Sequence, residues 1–175
     1  MTLRPATTPS DLADVRTLFR EYERWLGYDL CFQGFEAELA ALPGKYAPPA
    51  GRLYLADVDG ALSGCIALRE CAPGIAEMKR LYVREGSRGT GAGRALAQRI
   101  IADARAIGYR AMRLDTLRIP QMAAANRLYD ALGFRDIAPY YANPLPDVRY
   151  MELELGAPGP RAAAGPERFR DRSTD

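Results

Sequence analysis

The run Arg88-Gly89-Thr90-Gly91-Ala92-Gly93 constrains this chain more than any other stretch of it. It follows an apolar, strand-like segment, Leu81-Tyr82-Val83, and leads directly into a helical pattern at Arg94. Glycines between a strand and a helix N-terminus let successive backbone N–H groups converge on one point. The helix adds roughly half a positive charge at that end, and Arg88 and Arg94 reinforce it. The chain therefore has to place a strand-to-helix junction here, and that junction is built to hold a phosphate or pyrophosphate.

Spacing separates the loops that do this. A Walker loop beginning at Gly86 reaches Gly91 in register but then needs Lys followed by Ser or Thr, and finds Ala92 and Gly93. A dinucleotide fingerprint beginning at Gly89 has its second glycine at Gly91, but its last small residue falls on Arg94. The pattern that fits is R-x-x-G-x-G, met by Arg88, Gly91 and Gly93. It resembles the acyl-CoA pyrophosphate loop of the GNAT superfamily of acetyl-CoA-dependent N-acetyltransferases. Glu77-Met78-Lys79-Arg80-Leu81-Tyr82-Val83 looks like that superfamily's fourth strand. Farther on, Ala125-Asn126-Arg127-Leu128-Tyr129-Asp130-Ala131-Leu132-Gly133-Phe134 is similar to its A-x-x-L-Y-x-x-x-G-F segment. The resemblance covers about residues 3–155.

Histidine is absent from all 175 residues. That excludes Ser-His-Asp and Cys-His catalysis, histidine acid–base work and nearly all catalytic zinc. Amine acetylation from a thioester meets the restriction, because the acyl group arrives already activated. Cys31, Cys65 and Cys71 are odd in number and form no C-x-x-C pair, so neither a disulfide framework nor a metal site is expected. Cys65 and Cys71 read as strand packing residues. A net charge of +2 is too small to imply nucleic acid or an anionic membrane. With no apolar run near ~20 residues and no signal-peptide core, the expected location is cytoplasmic.

The periodicities predict an α+β chain in the order β-α-α-β-β-β-α-β-α-β-β, a mixed, mostly antiparallel twisted sheet flanked by helices as the resemblance implies. Thr8-Pro9-Ser10-Asp11 reads as a helix start. Arg52–Asp57 and Leu62–Arg69 read as a hairpin about Asp59-Gly60, with Gly74–Val83 the next strand. Helices are predicted over roughly Thr90–Ile107 and Gln121–Leu132. One domain is expected over 1–155, and the Gly/Pro/Ala/Arg-rich stretch 156–175 is expected to be a disordered tail.

The resemblance implies roles for individual residues. Arg88, Gly89, Thr90, Gly91, Ala92, Gly93 and Arg94 would hold the pyrophosphate of acetyl-CoA. Leu81, Tyr82 and Val83 would carry the pantetheine arm as an added strand, with a backbone N–H polarising the thioester carbonyl. Glu77 takes the general-base position; its alternative is an ion pair with Lys79 or Arg80. Glu70, on the neighbouring strand, is a second carboxylate to consider. Tyr129 takes the general-acid position, since a phenol of pKa near 10 suits protonation of a leaving thiolate; its alternative is packing. Arg88 either contacts a phosphate or fixes the loop, and Arg84 reaches the adenosine phosphate or only solvent. Where many members carry an asparagine this chain has Met122, and Asn126 lies on another side of the helix. The acceptor site would be walled by Tyr22, Trp25, Tyr28 and Phe32 and by Tyr140-Tyr141-Ala142-Asn143-Pro144. The reading is direct acetyl transfer to a primary amine of a small molecule, by a monomer or homodimer. A non-catalytic acyl-CoA sensor and a peptide-amine acetyltransferase stand as alternatives.

Overall fold

Thr8 opens the first long helix in the way its sequence dictates. Its hydroxyl accepts from the Asp11 N–H, the Asp11 carboxylate accepts from the Thr8 N–H at 2.9 Å, and Pro9 occupies the first helical turn. Helix α1 runs Pro9–Leu26 and stops at Gly27, which takes the left-handed conformation with φ of 76°. The computed structural model describes residues 1–31 and 34–156. Phe32 and the expected tail beyond Gly156 lie outside the described residues.

The remaining elements follow in the predicted order: β1 Thr2–Pro5 before α1, then α2 Phe35–Ala41, β2 Arg52–Val58, β3 Ala61–Ala72 and β4 Ile75–Val83. Next come α3 Ala92–Ile107, β5 Ala111–Leu117, α4 Ala123–Ala131, β6 Arg135–Asp136 and β7 Val148–Glu154. They form a seven-stranded sheet in the order β1-β2-β3-β4-β5-β7-β6, antiparallel except where β4 meets β5. Two helices begin later than the periodicity predicts. Gly91, with φ of 90°, keeps the chain out of α3 until Ala92. Pro120–Met122 forms a tight 3₁₀ turn that delays α4 to Ala123.

Strand alternation divides the core between the two faces. Tyr54, Ile66, Leu68, Ala76 and Met78 pack with α3 and with Tyr129 and Phe134. Leu53, Leu55, Cys65 and Ala67 pack with α1 and α2. In β4 the alternation slips. Tyr82 pairs with Cys65 and Lys79 with Ala67, so Arg80 and Leu81 together oppose Ile66. This is a β-bulge, and Arg80 adopts φ of 58° there. An extra residue reverses which face later side chains point to. Tyr82 accordingly joins the α1 face while Leu81 and Val83 turn to the α3 face.

The second irregularity is a split in the sheet. β4 and β5 pair only through Ile75–Ala111, Ala76–Met112 and Glu77–Arg113, whereas β5 stays paired with β7 from Ala111 to Leu117. Beyond Glu77 the two parallel strands part, leaving β4 with an open backbone edge inside the sheet.

The α1 cap also gives a pH signature. Hydrogen bonds from Thr8, then Thr7 and Arg4, lower the Asp11 carboxyl from 3.8 to about 2. A folded-state value below the unfolded one means stabilisation that is complete above the unfolded value and is lost as pH falls toward the folded one. Asp11→Asn should therefore flatten the change in urea midpoint between about pH 4 and pH 2 relative to the parent.

Candidate active site

Each part of the glycine loop is held in place by the strand before it. A short turn, Glu85–Ser87, follows β4, and the Ser87 hydroxyl bonds the Ser63 hydroxyl at 2.9 Å. The Thr90 hydroxyl donates to the Ser87 carbonyl at 2.7 Å. Arg88 Nε donates to the Val83 carbonyl at 3.1 Å, and its guanidinium lies 4.6 Å from the Trp25 ring centroid. Gly89 and Gly91 take φ of 81° and 90°, a region that side-chain-bearing residues avoid. With Gly91 as its cap, α3 has no side-chain capping bond, so its first N–H groups face outward without intrahelical partners. Arg94, exposed beside them, has no ion pair among the described residues.

These groups open onto a groove of about 370 Å³. Leu81, Tyr82 and Val83 form one wall and the loop the other, and Gln121, Met122, Ala125 and Leu128 close it. Every residue expected to bind the cofactor borders the groove except Thr90, which instead ties the loop to Ser87. Trp25 also borders it, packed with Tyr22 against Tyr82. Of the aromatics expected to wall the acceptor site, Tyr22 thus borders the strand gap and Trp25 the loop groove.

Where β4 and β5 part lies a small cavity of about 40 Å³. Tyr22 enters it from α1 and Tyr129 from α4, with Met78, Leu81 and Thr116 between them. Thr116 Oγ1 is buried with no hydrogen-bond partner among the described residues. The Tyr129 ring packs edge-on to Phe134 at 6.0 Å. Burial, with smaller contributions from Tyr22 and Asp115, pushes its hydroxyl well above the ordinary phenol value. Burial likewise lifts Tyr22 to about 12. Both phenols therefore keep their protons at neutral pH.

On the α1–α2 side of the same strand lies a third space of about 390 Å³, dominated by charge. Glu77, 1% exposed, accepts from Arg69 at 2.7 Å and from the Tyr140 hydroxyl at 2.8 Å, with Lys79 at 3.9 Å. Its main cation is thus Arg69, across the β3–β4 ladder, and not Lys79 or Arg80. Arg80 instead makes a two-pronged pair with Glu38 of α2 at 2.7 and 2.9 Å. Lys79 pairs with Asp115 of β5 at 2.9 Å, and the Tyr141 hydroxyl donates to the other Asp115 oxygen at 2.9 Å. Burial raises the Asp115 pKa, but Lys79 and Tyr141 outweigh it and hold the carboxyl below its ordinary value. Glu70 lies at the rim, accepting the Gly74 N–H at 3.0 Å.

Other positions resolve as follows. Arg84 clasps Glu21 at 2.8 and 2.9 Å and the Leu62 carbonyl at 2.7 Å, while its side chain stays partly exposed to solvent. The Asn126 amide donates to the Leu117 and Met122 carbonyls, so it closes the turn before α4. Cys65 is buried and its thiol pKa is raised by that burial, while Cys71 is exposed and borders the charged cavity rather than packing in a strand interface. Arg69, Asp115 and the hydroxyl roles of Tyr140 and Tyr141 escape the sequence reading. They belong to separate strands and a loop, with no shared spacing to mark them.

The family model described as Acetyltransferase (GNAT) family matches residues 12–134. The chain belongs to that family. An uncharacterized N-acetyltransferase of Schizosaccharomyces pombe is 45% identical over 149 residues, spanning 84% of this chain and 90% of the relative. An acetyltransferase of the GNAT family from Staphylococcus aureus Mu50 superposes with a TM-score of 0.72 at 18% identity, covering 88% of this chain and 99% of that one. The PaiA N-acetyltransferase of Thermoplasma acidophilum, solved in complex with coenzyme A, superposes with a TM-score of 0.66 at 20% identity, covering 88% and 99%. This GNAT chain is an acyltransferase enzyme. Among the described residues no helix is long and apolar enough to cross a membrane, and no cluster of His, Cys, Asp and Glu is arranged to hold a metal.

The Lys79–Asp115 pair joins the parted strands across the gap. Removing one partner of a buried pair leaves the other charged and uncompensated. Asp115→Ala should lower unfolding free energy by about 3–5 kcal/mol. The double variant Lys79→Met, Asp115→Leu should recover most of that loss in the same urea titration.

Proposed function

We propose that this GNAT enzyme moves the acetyl group of acetyl-CoA directly to the primary amine of a small molecule. The observation that carries this reading is that one strand segment, residues 77–83, borders the loop groove, the gap and the charged cavity in turn. A donor on one side and an acceptor on the other can then meet at the gap without a covalent relay on the protein. The complex of the Thermoplasma structural neighbour with coenzyme A supports the choice of donor.

The residues present fit acyl-CoA. The bare N–H groups at the start of α3, Gly89, Gly91 and Arg94 suit a pyrophosphate. The open edge of β4 at Leu81–Val83 suits an extended amide-bearing arm, which would pair as an extra strand. The gap, at about 40 Å³, suits a short acyl group. A backbone N–H on the open β4 edge at Leu81 polarises the thioester carbonyl.

In the transfer the amine nitrogen bonds to the carbonyl carbon, the carbon–sulfur bond breaks, and the amine gives up a proton. Glu77 receives that proton, with the Tyr140 hydroxyl, 2.8 Å from Oε1, as the group through which it passes. Tyr129, kept protonated by burial, returns a proton to the departing thiolate and is reprotonated after release.

Three variants check this. Arg94→Gln, exposed and without an ion pair, should leave folding intact and weaken CoA binding at least threefold in calorimetry, with a shallower salt dependence than the parent. Tyr129→Phe should retain CoA affinity while kcat falls by ~10²-fold, the scale of a lost proton donor. Glu77→Gln, verified as folded, should lose rate mainly below the acceptor's pKa and recover as pH rises and the amine deprotonates unaided. Full kcat in Tyr129→Phe, with transfer limiting the rate, would reduce that tyrosine to packing.

A further inference from the structure

The charged cavity beside β4 continues into a neighbouring space of about 340 Å³, bounded by Gly34, Ala37, Ala41, Pro43 and Tyr46. Three charged residues border both spaces: Glu38, Lys45 and Arg69. Their donors and acceptors are unevenly used. Both Glu38 oxygens take Arg80, and Tyr46 adds a third bond. Both Glu77 oxygens are likewise taken, by Arg69 and Tyr140. Only Glu70, exposed at the rim, has a carboxylate oxygen to spare.

The cations differ. Lys45 is exposed and makes no hydrogen bond or ion pair among the described residues. Arg69 spends Nε and one terminal nitrogen on Glu77, and its other terminal nitrogen makes no bond among the described residues. Unused donors from two cations thus face the junction of the two spaces, while its carboxylates are saturated. Such a junction attracts a carboxylate and leaves a second ammonium only Glu70, at the rim of the first cavity, to pair with.

We infer that the acceptor is a small amine that itself carries a carboxylate, held by Lys45 and Arg69 where the two cavities meet, with its uncharged body in the second cavity. The inference rests on the acetyl-transfer reading above. It places the amine on the β4 side, toward Lys79 and the gap, and the side chain among Ala37, Ala41, Pro43 and Tyr46. Polyamines, which need free carboxylates at the far end, are disfavoured.

The test compares two amine pairs that differ only in the carboxylate: leucine against 3-methylbutylamine, and phenylalanine against phenethylamine. Rates with acetyl-CoA are expressed per concentration of unprotonated amine, which removes the difference in amine pKa. The acid should be favoured at least tenfold in kcat/KM in at least one pair, and Lys45→Gln should cut that preference at least threefold by raising KM for the acid. An amine equal to or better than its acid overturns the inference. So does a preference that survives Lys45→Gln intact, as do acids that neither react with nor bind the CoA-saturated protein at millimolar concentration. Titration with CoA alone keeps the two readings apart. A protein that binds no CoA fails the donor assignment, whereas one that binds CoA and acetylates spermidine but neither acid fails only the acceptor class.

Discussion

Everything distinctive about this molecule depends on the parting of β4 and β5 after Glu77. In an ordinary sheet the residues beyond that point would spend their backbone groups on the next strand. Here they are left unpaired with β5 along a gap, and the gap joins the two faces of the sheet, so that Tyr22 from α1 and Tyr129 from α4 border the same small cavity. The bulge at Arg80 acts with it. Reversing the alternation turns Leu81 and Val83 toward the α3 side while Lys79 and Arg80 keep their heads at the charged cavity. Gly64 permits this arrangement, because a Cβ there would lie 2.6 Å from the Tyr82 carbonyl oxygen.

An open strand edge and a row of charges are both unfavourable inside a protein, and the structure compensates each with pairing. Lys79–Asp115 bridges the gap, Arg80–Glu38 ties β4 to α2, and Arg69–Glu77 ties β3 to β4. Such pairs add little net stability over apolar packing, but each is costly to break. Their effect is to fix the cavity wall. Along this wall, among the described residues, Lys45 and the outer nitrogen of Arg69 keep donors unspent where the wall meets open space.

Local chemistry was readable from the sequence wherever it is local in space. The Thr8–Asp11 cap, the Asp59-Gly60 hairpin and the glycine loop are each a few consecutive residues, and each appears where its residues predict. The loop groove was legible for the same reason: its walls are one strand and the helix that follows it. The charged cavity was not. Its Arg69 comes from β3, its Glu38 and Lys45 from α2 and the turn after it, and its Tyr140 from a long loop, so no spacing records their meeting. The bulge left no mark either, since Arg80 is not a residue type that favours a positive φ. Helical spacing likewise gave the common face of Tyr22 and Trp25 but not that this face lies against Tyr82.

The central claim is that the open edge of β4 receives the donor as an added strand, and amide hydrogen exchange on the free and CoA-saturated protein tests it most directly. The account predicts new protection at Leu81, Tyr82 and Val83 and at the start of α3, with β1, β2 and β7 unchanged. Protection confined to the glycine loop, with the β4 amides exchanging as before, would contradict it.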